Sequence, residues 1–500
     1  MWQRRYNWVL ASTVALGLVL TVLLIKLPHK KDIRNAGVAI FKGHLPPVPD
    51  YEDSHVAHED AYTEPKTTHT SSGSAGYTIH NPAAEWDPAW DDKGKWPKWS
   101  RPVTTSSVTT SPLKSTLNSN STATNSSSIS RQRIDQFVRS ILDFEDDDTF
   151  NRLSCPSSVG SRYSQLRETA DTSGQVRYFF ALNMGESARV ITRMMSTIVE
   201  AMRFLGPKNC AVSIVVEKSD DGTNEILAEL KPRVEAIGAR FFLDEVRSIP
   251  RNSTEALKEK RVAELRNKVL EPLKFVGAQG LIDDLAGIYS PEALIIFVDQ
   301  IALCPEDILE LVFQHVKQGA SMACPFVWTG NGTQFGDLLV SRSLAGDTFF
   351  EIPHDGSLAY SQDLFWNDEA SRGHFNTSRP FQVFSCWGGM VTLDAASFAE
   401  KTFRFQSSRP GECQMASAML LARDMWRRGR AKILAVPSIN VARYDEEAVG
   451  AKALRGYVSD HVDSLQPRLN QTEYISWQTK PPGMIKCLPD LKHSKWIAPT

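Results

Sequence analysis

An α/β fold with a mainly parallel sheet, preceded by a membrane-spanning helix and a disordered stem, is what this 500-residue sequence predicts. Three observations lead there. Short apolar, β-rich runs alternate with helical patterns between residues 176 and 312, which is the signature of βαβ units. Residues 8–25 form an uncharged, mostly apolar run of 18 residues. Residues 30–131 show no sustained periodicity and are rich in Pro, Ser, Thr, His and Asp.

The N-terminal run comes first. As a helix it measures about 27 Å at ~1.5 Å per residue, close to the hydrocarbon thickness of a bilayer. It is longer than the apolar part of a cleaved signal and lacks a small-residue cleavage site, so residues 1–7 are expected as a short tail and 8–25 as an uncleaved signal-anchor. Charge alone leaves the orientation open: Arg4 and Arg5 stand on one side, and Lys26, Lys30, Lys31 and Arg34 on the other. Glycosylation sequons beginning at Asn120, Asn125, Asn252, Asn331, Asn376 and Asn470 favour a lumenal chain.

Residues 26–133 read as a stem, in which the Ser/Thr tract 104–130 is too polar to repay ordering and suits O-glycosylation. Seven cysteines permit three disulfides with one thiol over, and no spacing among them matches a zinc site. A net charge of −2 suggests no polyanionic partner.

The globular part is expected over residues 134–480, with 481–500 as a tail. A short amphipathic helix carries Phe137, Ile141 and Leu142. Strands are predicted at 176–182, 211–216, 239–243 and 294–298, with a turn at Asn183-Met184-Gly185-Glu186. Helices are predicted up to Leu205, up to about Leu230, over 254–273 with Ala256, Val262, Leu265 and Val269 inward, and from Pro305, which with Glu306 and Asp307 suits a first turn. Further on come a strand at 322–328, a loop at 330–337, a polar segment at 361–373, a strand-like region at 381–393, a helix at 412–426 and a final strand at 432–436.

In such a sheet, ligands bind beyond the carboxyl ends of the strands. That edge collects Asn183, Glu217, Asp220, Asp221, Asp299 and Gln300. Their convergence means more than any one acid, which by itself is most simply a loop carboxylate or helix cap. There is no G-x-G-x-x-G, no Walker lysine motif and no G-x-S-x-G elbow, which weighs against a dehydrogenase, a kinase and a hydrolase. Nucleotide-sugar transfer fits better. Carboxylates bind ribose and base, a divalent cation on Asp299 would bridge to a diphosphate, and Arg266 offers bidentate phosphate contact. Trp366, Asn367 and Asp368 suit acceptor binding or catalysis, against the plainer view of an ordered surface loop.

The segments YFFALNM (178–184), SDDGT (219–223), LRN (265–267), FVDQIALCPEDILEL (297–311), GDTFFEIP (346–353), LFWND (364–368) and RPFQVFSCW (379–387) resemble the fungal capsule-associated α-1,3-mannosyltransferases, glycosyltransferase family 69. The resemblance spans roughly residues 175–444. It implies a type II Golgi membrane protein with a GT-A-like nucleotide-sugar-binding domain, GDP-mannose as donor, a mannoside acceptor in a cell-wall, capsule or glycoprotein glycan, and a divalent cation, manganese. The roles it implies are donor binding by Asn183, Glu217, Asp220, Asp221, Arg266 and Asn267, acceptor binding by Trp366, Asn367 and Trp387, catalysis by Asp368 and Glu412, and metal binding by Asp299.

Three positions depart from the family pattern. Asp299-Gln300 stands where the family has Asn-Asp, Trp387-Gly388-Gly389 where it has Trp-Asn-Gly, and Ser417 where it has a glutamate. Two further readings therefore stay open: a glycan-binding or scaffolding paralogue without turnover, and a transferase of another sugar.

Overall fold

The computed structural model describes residues 129–143, 150, 153–156, 161–168, 175–250, 252–275, 289–465 and 474–499. The predicted span 8–25 and the stem up to residue 128 lie outside the described residues. Among the described residues no helix is long and apolar enough to cross a membrane.

The chain enters through helix α1 (Arg131–Leu142), capped by the Ser130 hydroxyl, and the short helix α2 (Ser164–Glu168). Strand β1 (Val176–Met184), helix α3 (Ile191–Leu205), β2 (Cys210–Glu217), α4 (Thr223–Ala236), β3 (Arg240–Val246), α5 (Glu255–Val269), β4 (Tyr289–Val298) and α6 (Pro305–Gln318) follow in strict alternation. Then come β5 (Met322–Thr329), β6 (Gln334–Phe335), α7 (Glu369–Asn376), β7 (Phe381–Gln382), β8 (Met390–Asp394), α8 (Ala395–Ala399), α9 (Ser417–Arg427), β9 (Ile433–Ala442), α10 (Asp445–Arg455), α11 (Val458–Leu465) and the hairpin β10 (Ile485–Cys487) with β11 (Lys495–Ile497).

The nine-stranded sheet has the order β3-β2-β1-β4-β8-β5-β9-β7, with β6 on β5. Pairs β1/β2, β1/β4, β2/β3 and β5/β9 are parallel and carry most of the ladder, whereas β8 runs antiparallel between β4 and β5. Strands β1 and β4 are apolar without a break because both faces are covered. Tyr178, Phe180 and Leu182 point to a core shared with α1, α3, α4 and α6, while Phe179 and Ala181 point to one shared with α5, α8 and α9. On β4, Leu294, Ile296 and Val298 join the first core, and Ile295 and Phe297 the second.

Several boundaries differ from the sequence expectation. β1 continues through Met184, so Asn183 lies in the strand and not in the turn. The inward face of α5 is Ala263, Leu265, Arg266 and Val269, and Ala256 is exposed. Helix α9 starts only at Ser417, because Gly411 takes a left-handed φ of 85° and Cys413 is bonded to Cys487. The polar segment at 361–373 ends inside α7, and the expected loop at 330–337 holds β6. The region 381–393 is two strands with a turn between them. Residues 481–500, read as a tail, contain the β10/β11 hairpin. All three possible disulfides form, Cys155–Cys304, Cys324–Cys386 and Cys413–Cys487, leaving Cys210 as a buried thiol.

Candidate functional site

The sheet register builds the site. Val298 pairs with Met390 at the end of the antiparallel β4/β8 ladder, and the next residue, Asp299, donates its amide to the Gly389 carbonyl at 2.9 Å. This brings Trp387 beside Asp299, and the indole N–H donates to Asp299 Oδ2. Asp299 lies two residues beyond Phe297, on the face that α5 covers, and there Arg266 Nη2 approaches Asp299 Oδ2 at 3.5 Å. The Arg266 guanidinium carbon sits 3.9 Å from the Trp387 ring centroid. Phe405 closes the cluster, 5.9 Å from Trp387 and 5.4 Å from Phe297 between ring centroids.

The turn before β8 needs its two glycines. Gly388 and Gly389 have φ of 65° and 74°, a region that side chains disfavour. A Cβ on Gly388 would run into the Pro325 carbonyl, and one on Gly389 would meet Ile301. A side chain at either position is therefore excluded from this backbone path. Asp337 fastens the same turn: its Oδ2 accepts from the Trp387 amide at 2.7 Å, the Gly388 amide at 3.1 Å and the Ser341 hydroxyl at 2.6 Å. Burial pushes the Asp337 carboxyl above the usual carboxylate range, against the lowering effect of those bonds.

Arg266 is 9% exposed, and burial lowers its pKa while Asp299 and Glu259 hold it up. Its Nη1 donates to Ser417 Oγ at 2.9 Å, and the Ser417 amide, the first of α9, donates to Glu259 Oε2 at 3.3 Å. Glu259 thus supplies a negative group at a helix N-terminus that has no side-chain cap of its own. Burial raises the Glu259 carboxyl. Arg266 Nε is buried with no hydrogen-bond partner, a condition that costs about 1–3 kcal/mol.

Of the residues singled out in the sequence, Arg266, Asp299 and Trp387 come together. Several others are occupied with local backbone. Asp221 accepts from the Ala188 amide at 2.8 Å and the Thr223 amide at 3.0 Å. Asn267 makes reciprocal bonds with the Phe405 backbone at 2.8 and 3.0 Å, fixing that ring in the cluster. Asp368 caps α7 through the Ser371 amide at 3.1 Å, and the exposed Glu412 accepts from the Arg409 amide at 3.2 Å. Glu217 pairs with Arg261 Nε at 3.1 Å, and Asn367 donates to Asp347 at 3.2 Å. Asp220 and Trp366 are exposed, and the buried Asn183 Oδ1 has no partner. Sequence reasoning missed Glu259 and Phe405, which only the packing of α5 against α9 and of the 403–408 segment brings in.

A divalent cation, implied by the resemblance, requires several oxygen donors. Asp299 Oδ2 is taken by Arg266 and Trp387, Gln300 is neutral, and Asp337 Oδ2 already accepts three donors. Among the described residues no three His, Cys, Asp or Glu side chains gather as cation ligands. With a guanidinium and an indole N–H on Asp299 Oδ2, these side chains by themselves do not build a cage for a cation, and Asp299 stands as the partner of an arginine.

Comparison with known proteins decides the family. The sequence profile described as Cryptococcal mannosyltransferase 1 matches residues 177–424. Alpha-1,3-mannosyltransferase CMT1 of Cryptococcus neoformans is 31% identical over 343 residues, covering 66% of this chain and 70% of that protein. The chain belongs to the capsule-associated mannosyltransferase family. It is a glycosyltransferase, and Arg266, Asp299 and Trp387 all lie within the matched region.

Solved structures resemble this chain more distantly. TarS residues 1–349 of S. aureus matches 61% of this chain and 67% of its own at 12% identity and a TM-score of 0.30. The mannosyltransferase PcManGT of Pyrobaculum calidifontis, in complex with GDP-Man and Mn2+, matches 62% and 72% at 11% identity and a TM-score of 0.30.

Proposed function

We propose that this protein transfers mannose from GDP-mannose to a mannoside acceptor, as an α-1,3-mannosyltransferase of GT-A-like architecture with its transferase domain in the Golgi lumen. In this reaction the bond between the mannose C1 and the diphosphate oxygen breaks. A bond from C1 to an acceptor hydroxyl oxygen forms, the hydroxyl proton is released to solvent, and GDP leaves with the electron pair of the broken bond. The donor sugar is α-linked and so is the product, so the configuration at C1 is retained.

The observation that carries the reading is the buried Arg266 held between Trp387 and Asp299 at the carboxyl end of β4, where an α/β sheet binds its ligands. Its fork matches two phosphate oxygens. Family membership adds the sugar, since the relative named above is an α-1,3-mannosyltransferase. Three disulfides agree with a secretory compartment, where thiols stay oxidised. The donor roles of Asn183, Glu217, Asp220, Asp221 and Asn267, and the acceptor roles of Trp366 and Asn367, belong to the same proposal.

One observation favours a second reading. Asp368 and Glu412, the two acids assigned to catalysis, are both engaged as backbone caps, which suits a paralogue that binds glycans without turning over donor. The full-length protein incubated with GDP-mannose and, in parallel, UDP-glucose and UDP-N-acetylglucosamine separates the cases. Release or transfer of mannose from GDP-mannose alone supports the first reading. Turnover of another donor makes it a transferase of another sugar, and turnover of none supports the paralogue.

A further inference from the structure

The inference rests on the nucleotide-sugar reading above and concerns what balances the diphosphate charge. A departing nucleoside diphosphate needs positive charge placed in advance near its oxygens. At the carboxyl end of β4 the group so placed is a side chain. Arg266 is buried, its Nη1 is fixed by Ser417 at 2.9 Å, and its plane lies against Trp387 at 3.9 Å. The edge formed by Nε and Nη2 is the less engaged one: Nε is buried without a hydrogen-bond partner, and Nη2 pairs with Asp299 Oδ2 at 3.5 Å. That edge of a guanidinium receives two oxygens of one phosphate. An orphaned donor on a buried cation marks the place of a missing anionic partner.

The nearby oxygen donors point the same way. Gln300 brings no charge, Asp337 Oδ2 is used on the Trp387 and Gly388 amides, and Asp299 faces the guanidinium. We propose that Arg266, in place of a divalent cation, is the counter-charge for the donor diphosphate, so that nucleotide binds to this protein without metal. Trp387 and Asp299 act as positioning residues that hold the fork in the plane the phosphate needs.

Calorimetric titration of GDP into the full-length protein, once in excess EDTA and once with MnCl2, tests this. A cation bridging protein and diphosphate couples the two ligands, raising GDP affinity by roughly 5- to 150-fold, and by linkage GDP would raise Mn2+ affinity equally. The expected result is the same GDP affinity in both buffers to within about fivefold. Binding that is lost in EDTA and restored by Mn2+ overturns the inference while leaving the nucleotide-sugar reading in place. Failure to bind in either buffer overturns both. Arg266→Lys keeps the charge and removes the fork, and its GDP affinity in EDTA is expected to fall on the order of tenfold or more. A folded Arg266→Lys protein of unchanged affinity contradicts the proposal, and the chelation result on the unaltered protein decides the matter if the variant fails to fold.

Discussion

The guanidinium carbon of Arg266 lies 3.9 Å from the Trp387 ring centroid, a contact between a helix and a turn that the sheet register brings together. Trp387 serves this contact twice, with its π-face towards Arg266 and its indole N–H on the carboxylate that pairs with it. Trp387→Phe keeps an aromatic face and removes the N–H. The KM for the nucleotide-sugar donor is expected to rise roughly 10- to 150-fold, as for loss of one hydrogen bond to a charged group. Steady-state kinetics at varied donor concentration checks it.

Gly388→Ala strikes the same turn through the backbone. The residue sits at φ 65°, and the added Cβ meets the Pro325 carbonyl. The expected cost is about 2 kcal/mol or more. A calorimetric melting midpoint lower by roughly 5 °C would agree with this.

The raised carboxyl of Glu259 gives a pH signature. Burial holds its folded pKa above the ordinary 4.5, so the folded state binds the proton more tightly than the unfolded one. The stability this contributes is full below 4.5 and is lost as pH rises through the raised value. Glu259→Gln removes the titration, so the difference in melting temperature between the variant and the unaltered protein should shift in the variant's favour as pH rises across that interval. A pH-independent difference would show that burial does not govern this group.

The sequons at Asn252, Asn331 and Asn376 are exposed. If the domain faces the lumen, protein from the native host should carry N-glycans there and gain mobility on glycosidase treatment. Asn→Gln at each position should remove one step of the shift. Protein from that host with no glycan at any of the three would contradict the lumenal placement.

The first half of the sheet was legible because buried parallel strands are apolar without a break, so 176–182, 211–216 and 294–298 stand out between helical patterns. Asp299 was legible for the same reason, as an acid directly after such a run. Its partners were not. Trp387 is 88 residues from Asp299, and Ser417 is 151 residues from Arg266, with pairing set by the antiparallel β8 and by α9 packing on α5. The acids in the turns misled in a different way: Asp221, Asp368 and Glu412 look the same in sequence whether they meet a ligand or cap a neighbouring amide.

The most direct test is kcat/KM for GDP-mannose turnover by the full-length Asp299→Asn protein beside the unaltered one. Asparagine keeps the shape and an acceptor for the Trp387 indole but gives up the charge that orients Arg266. The expected result is a fall on the order of tenfold or more, consistent with loss of a charge-assisted contact. An active parent enzyme whose kcat/KM is the same in Asp299→Asn would contradict a donor site built on Arg266, Asp299 and Trp387.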